Sequence, residues 1–137
     1  SALDLLFDFE KGGLTWIGTY GPTRDWELGA QRGSIIMEKH GFPPLIVARS
    51  MKGGHFGVLR FIVAFDKGNS SELDRVRMLT HELAEALLEI GFVPYKAPGW
   101  TARIIMERAH PGFVHLLSMI KKMLDPNNVM NPGRWAI

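Results

Sequence analysis

The chain has 137 residues, 46% of them hydrophobic, which is long enough to bury one core and too apolar for an intrinsically disordered protein. It has no cysteine, which excludes disulfides and thiolate metal sites, and no apolar run of the roughly 18 residues that a membrane helix requires. The net charge of +2 does not indicate attraction to nucleic acid or to a membrane surface. We therefore expect one soluble domain. Its composition is compatible with any compartment, the cytoplasm being favoured over the periplasm.

The first two predicted elements are a strand and a helix. Residues 14–20 are rich in β-branched and aromatic side chains and lie between glycine-containing turns, which favours a strand. A helix is expected from Thr23 onwards, because Thr23 or Asp25 can cap it and apolar residues recur near helical spacing before Gly41.

A hairpin is predicted next. Residues 45–51 and 55–65 are two β-rich runs joined by Lys-Gly-Gly, a connector that suits an antiparallel pair because glycine accepts positive φ. Alternation along the second run predicts that one face is the more apolar, formed by Gly57, Leu59, Phe61, Val63 and Phe65. The Gly-Phe-rich second run partly resembles an RNA-recognition strand, but we expect Phe56 and Phe61 to pack in the core instead.

The longest helix is expected to begin at Ser70 or Ser71, with Asp74 completing a capping box from Ser71, and to end at Gly91. Residues 92–96 then predict a short strand whose proline places it at an edge or a bulge.

This order of elements predicts an α+β fold, a ferredoxin-like βαββαβ antiparallel sheet with its helices on one face. Two further helices, 100–109 and 113–124, and an extended tail follow. The second of these helices should bury an apolar stripe formed by Phe113, Leu116, Leu117, Ile120 and Leu124. We expect one domain over residues 1–137, with its core in 12–97 and the C-terminal helices and tail in 98–137.

The sequence contains no strong metal-site motif. Residues 80–85 begin like a zinc-protease motif, but Glu85 occupies the position of the second histidine ligand, and His81 with Glu85 suits a solvent-side pair on a helix. No histidines have metal-ligand spacing, so no metal site is predicted.

Two segments carry the more specific signals. Tyr95 and Lys96 place a phenol beside an ammonium, but adjacent strand residues point to opposite faces unless the strand ends or bulges there. From local chemistry alone, this pair is a half-buried tyrosine beside a solvent-facing lysine. Residues 125–135 combine two X-Pro steps with a Pro-Gly turn, which indicates a shaped chain end after a helix.

Together these segments resemble the C-terminal cap, or substrate, domain of FAD-linked oxidases of the vanillyl-alcohol oxidase and 4-cresol dehydrogenase type. Residues 125–134 are similar to the family's closing Asp-Pro-Asn-x-x-x-x-Pro-Gly-Lys pattern. Residues 91–96 look like the segment with the Tyr-Arg pair that binds a substrate phenolate. The resemblance covers most of the chain; residues 15–65 match by element order more than by motif.

The resemblance implies that the cap holds a phenolic substrate, a 4-alkylphenol or an aryl alcohol, while hydride passes to N5 of FAD. Tyr95 would bind the phenolate oxygen, Lys96 would offset its charge, and Asn131 and Arg134 would lie at the flavin. Lys96 replaces the family's arginine, so bidentate anion binding is lost. Residues 12–16 contain no histidine, so covalent FAD attachment through them is not supported.

The sequence has no phosphate-cradling glycine loop, so FAD would be held by an FAD-binding domain, absent from this chain and supplied in cis or in trans. The chain alone should be inactive. Further partners would be an electron acceptor or a second copy of the chain. Three alternatives remain open: the cap of a glycolate or D-lactate dehydrogenase acting on a 2-hydroxy acid, a non-enzymatic ferredoxin-like binding module, and a regulatory small-molecule domain for which the sequence offers no specific residue.

Overall fold

The computed structural model describes residues 12–137, which divide into two compact units with a boundary between Lys96 and Ala97. The first unit contains, in chain order, β1 (Gly12–Pro22), α1 (Trp26–Lys39), β2 (Leu45–Ser50), β3 (Phe56–Asp66), α2 (Ser70–Ile90) and β4 (Val93–Pro94). The four strands pair antiparallel in the order β2-β3-β1-β4. The predicted ferredoxin-like α+β sheet is thereby confirmed.

One face of the sheet packs against α1 and α2 and forms the core. Its central side chains come from β3, where Leu59, Phe61 and Val63 are almost fully buried, as alternation along the strand predicted. The helices add further fully buried side chains, among them Met37, Leu79, Leu83 and Leu87. Phe56 departs from the prediction: it is 47% exposed, because even-numbered β3 residues face away from the helices and Phe56 lies at the end of the β1–β3 pairing, opposite Pro22.

The helix termini also differ from their predicted capping. Thr23–Asp25 form a 3₁₀ turn, and α1 begins at Trp26 without a side-chain cap. The Thr23 hydroxyl donates instead to the Gly54 carbonyl at 2.6 Å. At α2 the predicted Ser71-Asp74 box is wrong, because Asn69 is the N-cap residue and accepts from the Glu72 amide at 3.1 Å.

The second unit contains α3 (Gly99–Arg108), α4 (Pro111–Leu124) and a 3₁₀ turn at Arg134–Ala136. The predicted burial of the α4 stripe is wrong: no residue of α4 is buried, and Phe113, Leu116 and Leu124 are 52%, 54% and 70% exposed. Helical spacing makes α4 amphipathic, but spacing does not supply a surface to cover the apolar face. None of the helices in residues 12–137 combines the length and apolar character needed to cross a membrane.

Close packing of α1 on β3 depends on Gly33. A Cβ atom at this position would overlap the Phe61 ring, which is fully buried and has no space to move into. We predict that Gly33→Ala destabilises the protein, because so close an overlap with the Phe61 ring places the overpacking cost in the upper part of about 1–3 kcal/mol, above the roughly 1 kcal/mol that alanine gains over glycine in a helix.

Urea unfolding curves would measure this change. Gly99→Ala is the matched control, because a Cβ at the start of α3 would meet no atom within 4 Å. An unchanged or raised stability of Gly33→Ala would contradict the predicted packing.

Candidate functional site

The sheet face opposite the helices carries aromatic and cationic side chains. On β1 it presents Trp16 and Tyr20, which are 40% and 39% exposed. Arg60 of β3 lies on the same face, because it pairs with Gly18 in the β1–β3 register. We call this the open face of the sheet. Its composition contrasts with the apolar helix-covered face.

Tyr95 lies over the open face because Pro94 pairs with Thr19, which places Tyr95 opposite Gly18 although β4 itself ends at Pro94. The Tyr95 amide continues the pairing by donating to the Gly18 carbonyl at 3.1 Å. The Tyr95 ring occupies the space that a Cβ atom on residue 18 would need. A glycine at position 18 is therefore required for the tyrosine ring to lie this close to the strand.

The Tyr95 hydroxyl is bonded to Arg60. The Arg60 guanidinium donates to the phenolic oxygen through Nη2 at 2.7 Å and Nε at 3.2 Å. Arginine has no acceptor atom, so the Tyr95 hydroxyl cannot donate a hydrogen bond to Arg60. The phenol is held in place by two N–H groups, which leaves its own O–H free to donate to a ligand.

Lys96, like Arg60, lies near a Trp16 ring. The Lys96 Nζ is 5.8 Å from the centroid of a Trp16 ring, and the Arg60 Cζ also lies 5.8 Å from it. Because the strand ends before Tyr95, the two adjacent residues both reach the open face, which was the condition for them to act on one ligand. Trp16 positions both cations through its π face.

A groove of about 400 Å³ lies beside the Tyr95 ring. It is lined by Tyr20, Val47, Arg49, Met51, Val58, Arg60 and Tyr95. Tyr20 forms its aromatic end, since its ring lies 4.9 Å from the Tyr95 ring and 6.2 Å, edge to face, from the Phe56 ring. Sequence reasoning missed Arg60 and Arg49 as site residues. The sequence signal that could have identified them is a charged residue within each of the two strands, on the less apolar face of the sheet.

The predicted cofactor residues lie in the second unit, in the segment that follows α4. Asp125 organises this segment: its buried carboxylate accepts from the Lys121 ammonium and from the Val129 and Met130 amides, both at 2.9 Å. Lys121 also donates to the Met130 carbonyl at 2.6 Å. The hydrogen bond from Lys121, together with those two amides, lowers the pKa of Asp125 below its ordinary value of 3.8.

The rest of the segment is tightly wound. Asn131 and Gly133 have positive φ, and the Arg134 amide donates to the Asn131 carbonyl at 3.1 Å. The Arg134 guanidinium donates to the Ala97 carbonyl at 3.1 Å. A largely apolar groove of about 420 Å³ lies between α4 and the tail, with Leu117, Ile120, Leu124, Met130, Arg134 and Trp135 among its lining residues.

The protease-like segment of α2 has a structural partner. Glu82 accepts hydrogen bonds from Lys39 and His40, each at 2.7 Å, and these bonds lower the pKa of Glu82. Within residues 12–137, no group of three His, Cys, Asp or Glu side chains is placed to hold a metal ion.

Comparison with known proteins identifies a family. The family model described as FAD linked oxidases, C-terminal domain, matches residues 36–135. The structure of 4-ethylphenol oxidase from Gulosibacter chungangensis in an isoeugenol complex matches 93% of this chain with a TM-score of 0.75 and 22% identity. The structure of p-cresol methylhydroxylase with substrate bound matches 91% with a TM-score of 0.79 and 20% identity. The chain spans 25% and 24% of those two chains. No curated protein sequence matches it.

The Asp125 contacts predict a pH-dependent tail. We expect Asp125→Asn to speed hydrogen exchange of the Val129 and Met130 amides, because the neutral side chain loses its ion pair with Lys121. In the unsubstituted protein, a carboxyl whose folded pKa is lowered stabilises the fold fully above its unfolded pKa. Protection of these amides should therefore be complete above the ordinary pKa of 3.8 and fall as pH drops through the lowered folded value.

Asp74→Asn provides the control, since the ion pair of Asp74 within residues 12–137 is an exposed one with Arg77. Equal protection of Val129 and Met130 in Asp125→Asn and Asp74→Asn would contradict the role of Asp125.

Proposed function

Because the chain belongs to the C-terminal domain family of FAD-linked oxidases, we propose that this cap domain binds a phenolic substrate for oxidation by FAD. The observation that carries the proposal is the Tyr95 hydroxyl, held by Arg60 at 2.7 Å beside a groove of about 400 Å³. The two similar structures add support, since one is named as a 4-ethylphenol oxidase and the other as p-cresol methylhydroxylase.

Tyr95 binds the phenolic oxygen of the substrate. Its hydroxyl accepts from Arg60, so its own proton is donated to the substrate oxygen, and a donor favours the phenolate form. Arg60 supplies a guanidinium behind that phenol. Arg60 of β3 therefore supplies the positive charge that the family's arginine would provide at position 96, in addition to the Lys96 ammonium.

Lys96 and Trp16 complete the substrate end of the site. The Lys96 ammonium lies over a Trp16 ring, and its positive charge offsets the negative charge of the phenolate. The chemistry that bound FAD supplies is acceptance of the substrate hydride at N5 of its isoalloxazine ring. Holding the ring as its phenolate raises electron density at the carbon from which the hydride leaves.

The tail groove fits the ring portion of a flavin by the chemistry of its lining. Its lining is mostly apolar, as a planar aromatic ring requires, and besides the paired Lys121 and Asp125 it includes the Arg134 guanidinium. Arg134 would stabilise negative charge on the reduced ring, with Asn131 as its neighbour in the turn. The nucleotide portion would be held by an FAD-binding domain, in the same polypeptide or in a separate subunit, and the cap alone would be inactive.

We predict that Tyr95→Phe and Lys96→Met, each in the complete flavoprotein, lower kcat/KM for 4-ethylphenol by about tenfold or more, because each removes an interaction with the phenolate. Steady-state kinetics and the flavin absorbance spectrum would measure activity and FAD content. FAD content should remain unchanged.

Lys52→Met is the control for Lys96, since Lys52 is an exposed lysine in the hairpin turn. If Tyr95→Phe and Lys96→Met keep wild-type kinetics, the pair is structural and the proposed function fails.

A separate prediction concerns Arg134. Arg134→Gln in the complete flavoprotein should lower the flavin midpoint potential by about 30 mV or more, because the reduced ring loses a stabilising cation; for two electrons this equals about 1.4 kcal/mol. A spectroscopic redox titration measures it. Lys122→Gln on exposed α4 is the control, and an unchanged potential in Arg134→Gln would remove Arg134 from the flavin site.

A further inference from the structure

Two arginines line the groove on the open face of the sheet. Arg49 of β2 pairs with Val58, and Arg60 lies two residues further along β3, so the two arginines are diagonal neighbours on one face. Such neighbours have Cβ atoms about 7–8 Å apart, within reach of long side chains. The lining of the groove includes no aspartate or glutamate. The groove therefore concentrates positive charge.

The two guanidiniums differ in what they already bind. Arg60 donates twice to Tyr95, whereas the Arg49 side chain makes no hydrogen bond or ion pair with any other residue in the range 12–137. Two like charges in one groove repel each other unless an anion lies between them. A guanidinium matches the geometry of a carboxylate through two parallel N–H groups.

We propose that this groove selects a hydroxyaryl carboxylate, with the phenolic oxygen at Tyr95 and Arg60 and the carboxylate at Arg49. The proposal rests on the function proposed above and names the substrate class more closely. A groove of about 400 Å³ suits a single substituted ring. Tyr20, Val47 and Val58 provide apolar contacts for the ring, and the two ends of the ligand are distinguished by their charge.

Paired probes test the proposal in the complete flavoprotein. 4-Hydroxybenzoate and 4-hydroxybenzamide have the same ring, the same phenol and nearly the same size, but they differ in charge. Neither has a benzylic C–H bond that could be oxidised, so only binding is measured. Isothermal titration calorimetry should give a Kd for the carboxylate about tenfold or more below that for the amide. Arg49→Gln should reduce this ratio to about twofold or less, by weakening binding of the carboxylate alone.

Arg24→Gln is the matched control, because Arg24 is a highly exposed arginine whose one ion pair within residues 12–137 is with Asp25. It should keep the wild-type ratio. Equal affinity for the two probes in the wild-type protein, or an unchanged ratio in Arg49→Gln, would overturn the proposal.

Tyr95→Phe separates this proposal from the function on which it rests. If Tyr95→Phe weakens binding of both probes, and the wild-type protein binds the carboxylate no more tightly than the amide, phenol binding stands and carboxylate selection fails. If neither probe binds the wild-type protein while D-lactate does, both proposals fail.

Discussion

The antiparallel pairing of β1 with β3 is the constraint on which the candidate site depends. It runs from Gly12 opposite Asp66 to Pro22 opposite Phe56. Because side chains alternate along a strand, the register that buries Phe61 beneath the helices places Arg60 on the open face, opposite Gly18. A slip of one residue would bury Arg60 and expose Phe61, at a cost in apolar burial and charge desolvation. The hydrophobic core therefore sets the position of the guanidinium.

Around this register, small structural features bring the remaining site groups together. The register of β4 on β1 places Tyr95 over Gly18, and the end of β4 at Pro94 lets Lys96 reach the Trp16 ring that Arg60 also approaches. The result is an aromatic surface with positive charge and hydrogen-bond donors on one side. A proposed phenolate ligand needs these properties: an apolar face for its ring and donors for its oxygen.

The second unit is organised by one carboxylate. Asp125 ends α4 and holds Lys121 and the amides of Val129 and Met130, so the closing segment is shaped without a regular hydrogen-bond ladder. Beside it, the apolar stripe of α4 remains exposed. An exposed patch of this kind marks an interaction surface in soluble proteins.

The sequence by itself determined the elements, their order and the buried face of β3, because hydrophobic periodicity and glycine placement are local signals. Its motifs also led to the family and to Tyr95, Lys96, Asn131 and Arg134 as candidates, although their roles stay predictions. Only the tertiary structure revealed Arg60 and Arg49 as groove residues. Arg60 and Tyr95 are 35 positions apart, and their contact depends on strand register and on where β4 ends. Periodicity also could not decide whether the α4 stripe is buried, since burial depends on what lies against a helix.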